Sequence, residues 1–373
     1  MQFITVKAPG RINLIGEHTD YNGGFVMPAA IQKGATVYVE LRNDREIHLF
    51  AEDLQETYQL NLDTISKATT HWANYIIGVI AQFQKIISFP AGFTIRLKSD
   101  VPIGAGLSSS AAIESAVAFA LNELFSFGVD KMQLTKMAQR AEHEYAGVQC
   151  GIMDQFASIF GRKDQVILLD CNSMDYQYYP LVLEAYDIVL LDTQIKHALA
   201  SSEYNTRRKE CEQGIAKMQQ KFPAVKSLRD ATIEMLEECV DQKTMSIVYN
   251  RCKYVIEEIE RTQTAAKDLQ ENNLEAFGQK MFATHDGLSK LYEVSCPELD
   301  FLVNAVKSDF SNTNKNVIGA RMMGGGFGGC TINLIKKEAT ASVVQKLVAS
   351  YQNAFQKTLV HYIVSIEDGA HII

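Results

Sequence analysis

Arg11, Glu17, His18 and Asp20 fall within ten positions of one another, in the stretch APGRINLIGEHTDYNGG from Ala8 to Gly24. Carboxylates accept hydrogen bonds from the hydroxyls of a small polar ligand, and an arginine can stabilise a phosphoryl group or fix a neighbouring acid. The turn formers Pro9, Gly10, Gly16, Gly23 and Gly24 frame these residues, so the segment reads as a loop that presents polar groups. Composition alone is equally consistent with an ordinary solvated loop between two strands.

A second segment, PIGAGLSSS at Pro102 to Ser110, follows a strand pattern and runs into a helix predicted to begin at Ser110. The glycines let backbone N–H groups approach an anion, the serines add hydroxyls, and the helix N-terminus adds partial positive charge. The segment lacks G-x-x-x-x-G-K-[ST], and Ser109 stands where a dinucleotide fingerprint needs its third glycine. A turn with a serine helix cap remains the alternative reading. The run Gly324 to Gly329 satisfies G-x-G-x-x-G, yet TINLI, a strand pattern, follows it where a dinucleotide site requires a helix. No V-A-I-K, H-R-D or D-F-G accompanies it, which excludes protein-kinase logic. Such a loop still implies backbone passing close to a ligand or to another loop. Asp154 in GIMDQFAS and Glu142 read equally as a helix-initiating acid and a surface helix glutamate.

The elements that must hold these residues alternate in type. Phe3–Lys7, Ala35–Leu41, Phe93–Leu97, Gln165–Asp170 and Tyr186–Leu191 read as strands, and Trp72–Ile87, Ser110–Leu124 and Lys131–Tyr145 as helices, the last closed by Gly147. Between Cys171 and Tyr179 the chain reads as a polar connection ending in Pro180, and a domain boundary is expected near 180. Helices at Ser201–Gln220, Thr244–Leu269 and Leu274–Leu291 follow, then the glycine loop, a strand Thr331–Ile335, a helix and a strand Tyr362–Ile366. The pattern is α+β in both halves.

With 373 residues, 47% hydrophobic and 21% charged, the chain supports two globular domains rather than disorder. A net charge of -8 argues against a nucleic-acid partner. No leader pattern or span-length apolar run is present, so a cytoplasmic protein without a membrane partner is expected. Seven scattered cysteines encode neither a disulfide framework nor a zinc site.

The motifs together carry a resemblance. APGRINLIGEHTDYNGG resembles the galactokinase signature, PIGAGLSSSAAIESA resembles the phosphate-loop motif of the GHMP kinase superfamily, and GARMMGGGFGGCTINLI resembles its third motif. GIMDQ and SEYNTRR resemble further galactokinase segments, in the family order across nearly the whole chain. The resemblance implies a two-domain GHMP kinase fold. A mixed-sheet α/β domain at 1–180 would precede a ferredoxin-like α+β domain at 181–373, with the ATP site between them. It implies transfer of the ATP γ-phosphate to the C1 hydroxyl of galactose by a monomer or weak oligomer. Another sugar 1-kinase, for N-acetylgalactosamine or arabinose, and a non-catalytic galactose- and ATP-binding regulator stay open. By the same resemblance Asp154 is the catalytic base with Arg11 beside it, and Glu17, His18, Thr19, Asp20, Gly151 and Tyr204 contact or frame the sugar. Gly104, Ala105, Gly106, Leu107, Ser108, Ser109 and Ser110 would wrap the ATP phosphates, with Ser110 and Glu142 as ligands of Mg²⁺. The family pattern carries a longer segment ahead of APGR than the seven residues before Ala8; the sugar is therefore less narrowly specified than the reaction.

Overall fold

The computed structural model describes residues 2–102, 104–195, 200–312 and 315–373, with the backbone alone at 200–202 and 312. Ile103 of the expected anion loop therefore lies outside the described residues. Six strands form the larger sheet, in the order β13 (His371–Ile372), β1 (Phe3–Asn13), β3 (Pro28–Leu41), β6 (Phe93–Ser99), β4 (Glu46–Ala51) and β5 (Glu56–Asn61). Among the described residues only β4 and β6 pair in parallel. A small sheet joins β2 (Phe25–Val26), β7 (Gln165–Asp170) and β8 (Tyr176–Pro180). An antiparallel sheet of four orders β10 (Val317–Met322), β11 (Cys330–Lys336), β9 (Tyr186–Asp192) and β12 (Val360–Val364).

β1 is longer than its apolar alternation predicts. Pro9 and Gly10 read as a turn, but the strand runs through them with a register shift between Pro9 and Arg11, a bulge rather than a break. Arg11 consequently stands on a paired strand, not on a loop, and its N–H donates to the Leu107 carbonyl at 3.2 Å. The phosphate-loop candidate is thereby docked on the sheet.

In the first half lie α1 (His71–Gln84), α2 (Ser109–Phe125), α3 (Lys131–Ala141) and α4 (Met153–Phe160). The alanine-rich α2 buries residues on nearly every side and packs on β1 and β3, as a helix apolar all round must. After Ala141 the helix widens into a π turn at Glu142–Ala146, ending at Gly147 in the left-handed region. In the second half lie α5 (Ala200–Gln219), α6 (Ile233–Cys239), α7 (Ser246–Gln270), α8 (Leu274–Lys290), α9 (Pro297–Ala305) and α10 (Lys337–Phe355). Among the described residues no helix is long and apolar enough to cross a membrane, and all seven cysteines are free thiols.

Several elements escaped the sequence reading. The polar connection before Pro180 contains β8, whose Tyr176–Pro180 pairs with β7. β4, β5, β10, α6 and α9 were not expected either. The sheets change between β8 and β9, while β13 returns to pair with β1.

α8 packs directly on β10, where Gly278 lies against the strand backbone. A β-carbon there would sit 2.1 Å from the Ile318 carbonyl oxygen, which cannot rotate away. Gly278→Ala should therefore destabilise the protein by about 1–3 kcal/mol in urea unfolding; an unchanged midpoint would show that helix and strand can separate freely.

Candidate active site

Arg11 reaches from β1 to the first turn of α4. Its Nε donates to Asp154 Oδ1 at 2.7 Å and its Nη2 to Asp154 Oδ2 at 2.9 Å, the planar two-bond geometry that suits guanidinium and carboxylate. Its Nη1 donates to the Gly106 carbonyl at 2.6 Å. Ser108 completes the junction by donating its hydroxyl to Asp154 Oδ2. Three motifs far apart in sequence meet at one carboxylate.

Ser108 departs from expectation in an informative way. The helix begins at Ser109, one residue early, and Ser108 sits at its cap in the left-handed region, φ 57° and ψ 53°, without a side-chain cap bond. A serine there normally satisfies the first N–H groups of the helix. With its hydroxyl spent on Asp154, the α2 N-terminus keeps those donors for another acceptor. Ser110 donates instead to Glu142 Oε1 at 3.0 Å. Ala105 and Leu107 are buried in the core and contribute backbone alone.

The Glu17 loop is held from the second half of the chain. Glu17 Oε1 accepts from the Gly324 N–H at 2.8 Å and from Arg321 Nη2 at 3.1 Å. Burial works against the Glu17 charge, but Arg321, then Arg11 and the Gly324 N–H, hold its carboxyl below the usual range. Arg321 is fully buried and also donates to the Leu14, Asn13 and Met322 carbonyls. From α7, buried Glu258 accepts from the Gly16 N–H at 2.9 Å, and the Tyr254 hydroxyl donates to the Glu17 carbonyl at 3.0 Å. Arg321, Glu258 and Tyr254 were missed by sequence reasoning, since Arg321 is a single charge on an apolar strand and Glu258 is one of many charges on α7.

Thr19 corrects one expectation. It is fully buried and donates to the Gly16 and Phe25 carbonyls, stapling the loop rather than facing a ligand. Its neighbours do face inward. Arg11, Glu17, His18, Asp20, Glu142, Gly151, Asp154 and Tyr204 line a cavity of about 310 Å³, roofed by the backbone of Gly324–Gly326. The glycine run thus passes close to another loop, since Gly324 and Gly329 lie against Gly106 and Ala105 of the Gly104–Ser110 segment. A larger cleft of about 710 Å³, lined by residues such as Leu181, Val182, Lys337 and Ile363, contains none of these groups.

Inside the cavity the charges are arranged unequally. His18 is kept neutral, its pKa lowered to about 4 chiefly by burial. Burial first, and the nearby Asp154, push the Asp20 carboxyl up to about 7. Gly151 is required here, because a β-carbon on it would meet Asp20 Oδ2 at 1.5 Å. Beside the phosphate loop, Glu142 Oε2 accepts from Gln155 at 2.7 Å, and Gln155 also donates to buried Glu114 at 3.1 Å. Burial is the first cause that raises both carboxyls, with the charge of Asp154 adding to it at Glu142 and that of Glu142 at Glu114. Two oxygen donors, Ser110 Oγ and Glu142 Oε1, with phosphate oxygens completing the shell, suit a hard divalent cation. Among the described residues no group of three or more His, Cys, Asp or Glu side chains closes on one point.

Residues 74–162 match the family described as GHMP kinases N terminal domain, and residues 265–353 match GHMP kinases C terminal. With the anion loop and its neighbouring acids, this defines an ATP-dependent kinase of the GHMP class. Residues 2–41 match the galactokinase galactose-binding signature. Galactokinase from Thermotoga maritima is 42% identical over 99% of each chain. Galactokinase from Clostridium beijerinckii is 41% identical over 98% of this chain and 94% of its own. The crystal structure of Lactococcus lactis galactokinase complexed with galactose superimposes with a TM-score of 0.94 at 34% identity, covering 100% of this chain and 95% of that one. The chain belongs to the galactokinase family. Methanococcus jannaschii mevalonate kinase, at 20% identity and a TM-score of 0.66, shares the fold.

Asp20 yields a pH test. Its carboxyl is raised from 3.8 to about 7 in the folded protein, so between those values the folded state holds a proton that the unfolded chain has released. That contribution to stability is complete below the lower value and is lost as pH rises through the higher one. Asp20→Asn should therefore raise the melting temperature of the ligand-free protein more at pH 8 than at pH 5, while weakening sugar binding. An equal shift at both pH values would contradict the burial argument.

Proposed function

We propose that this chain transfers the γ-phosphate of ATP to the C1 hydroxyl of α-D-galactose, giving galactose 1-phosphate and ADP. The observation that carries the proposal is the junction at Asp154, a carboxylate lining the cavity while bonded to both Arg11 and the phosphate-loop residue Ser108. A sugar in the cavity and a nucleotide on the loop would then meet at one group. Glu17 and Asp20 serve the sugar hydroxyls as acceptors, with His18, Tyr204 and the close wall at Gly151 shaping the ring site. The N–H groups of Gly104–Ser110 and of the first turn of α2 take the phosphates.

Asp154 orients the C1 hydroxyl and accepts its proton as the new O–P bond forms and the bond between the γ-phosphorus and the bridging oxygen breaks, leaving ADP. Because phosphoryl transfer passes through a loose transition state, alignment and charge stabilisation supply most of the acceleration, and proton removal less. Arg11 holds Asp154 in position from one side and stands close to the phosphate loop through Gly106. Ser110 and Glu142 would hold Mg²⁺. When bound, that ion offsets charge on the phosphate oxygens. The division into units at 1–180 and 181–373 is proposed on the change of sheet between β8 and β9.

ADP release measured with galactose, N-acetylgalactosamine, arabinose and glucose at equal concentration should be fastest with galactose. Preference for N-acetylgalactosamine would reassign the sugar, and no turnover on any would leave a binding protein. Asp154→Asn should lower kcat by roughly 10²–10⁴ while nucleotide affinity stays within twofold. Near-normal turnover in that variant would sink the assignment of the base.

A further inference from the structure

Behind His18 runs a line of hydrogen-bonding groups that the proposed reaction does not use. His18 Nδ1 lies 2.8 Å from the Tyr21 hydroxyl, that hydroxyl lies 2.8 Å from the Tyr292 hydroxyl, and the Cys211 sulfur lies 3.4 Å from Tyr292 Oη. Tyr292 and Cys211 are fully buried. At the other edge of the imidazole, Nε2 is buried without a hydrogen-bond partner, in a side chain that lines the cavity. The backbone is fixed as well, with His18 at φ 62° and its carbonyl accepting from Asn22 Nδ2 at 2.9 Å. Tyr204, Tyr21 and Tyr292 surround the ring at centroid distances of 5.3, 5.9 and 4.8 Å.

A neutral imidazole has one N–H, and the partner of one nitrogen decides the state of the other. Burial keeps every member of the line protonated, pushing both tyrosines well up and the Cys211 thiol up to about 12. Two directions are open to such a chain. In one, the thiol donates to Tyr292, Tyr292 to Tyr21, and Tyr21 to His18 Nδ1. In the other, His18 Nδ1–H starts the chain and a thiol sulfur, a weak acceptor, ends it. The first pairs the phenol as donor with the imidazole nitrogen, a better acceptor than a phenol oxygen.

We infer that Tyr21, Tyr292 and Cys211 form a one-way relay that locks His18 in its Nε2–H tautomer, so that the imidazole presents a donor to the sugar. Tyr292 and Cys211 are then positioning residues for sugar recognition, acting through His18. The role in recognition rests on the functional reading above; the tautomer does not.

Long-range proton–nitrogen NMR of the ligand-free protein, with His18→Gln to identify the signals, reads the tautomer directly. The wild-type protein should carry its proton on Nε2. In Tyr292→Phe the remaining Tyr21 can point either way, so a mixture should appear, and KM for galactose should rise about three- to tenfold with KM for ATP within twofold. Cys211→Ala, which leaves all the rings in place, should shift both readouts in the same direction by less, and it keeps the test open should Tyr292→Phe fold poorly. A proton on Nδ1 in the wild type, or a Tyr292→Phe protein with unchanged nitrogen signals, would overturn the relay. Altered signals with unchanged galactose KM would instead overturn its role in recognition.

Discussion

The rest of the site depends on the two-bond ion pair between Arg11 and Asp154. It joins a strand of the larger sheet to the first turn of α4, and through Gly106 and Ser108 it fastens the Gly104–Ser110 loop to both. Because β1 continues through Pro9 and Gly10 rather than turning, Arg11 is carried by a paired strand. Sites on paired strands hold geometry more tightly than sites on free loops. A reaction that relies on alignment more than on acid–base strength needs that rigidity.

A second pair does for the cavity wall what the first does for Asp154. Arg321 and Glu17 are almost completely shielded, with side-chain exposures of 0% and 3%. Removing one partner of such a pair leaves an uncompensated charge, at a cost of about 3–5 kcal/mol. Arg321 comes from β10 in the second half and also binds the Asn13 and Leu14 carbonyls at the end of β1, so the glycine loop and the sugar loop are fixed against each other. Glu258 and Tyr254 on α7 repeat the arrangement one turn apart. The cavity wall is therefore assembled from both halves of the chain, with the Glu17 charge paired within the protein.

Much of this was legible in the sequence where residue type and chemistry coincide. The APGR and GEHTD stretch, the Gly-Ser loop, Asp154 and Glu142, singled out by residue type or by the resemblance, lie close together in the fold. What escaped did so for local physical reasons. A proline followed by glycine signals a turn, yet in β1 the pair makes a bulge because Leu107 supplies a partner for the Arg11 N–H. A serine before a helix signals a cap, yet Ser108 turns its hydroxyl to Asp154. Thr19 stands in the middle of the charged motif but faces the backbone, while Arg321 sits in an apolar strand with no pattern around it to mark it. Short, half-exposed strands such as β5 and β8 lack the alternation that makes longer ones visible.

The central claim is that Asp154, held by Arg11 and Ser108, brings the anomeric hydroxyl of a sugar to the phosphate loop. Phosphorus-31 NMR of a reaction with ATP and galactose labelled with carbon-13 at C1 tests this most directly. The account requires a sugar phosphate whose phosphorus couples to the labelled carbon. A phosphate on any other carbon, or ADP and free phosphate with no sugar phosphate, would contradict it.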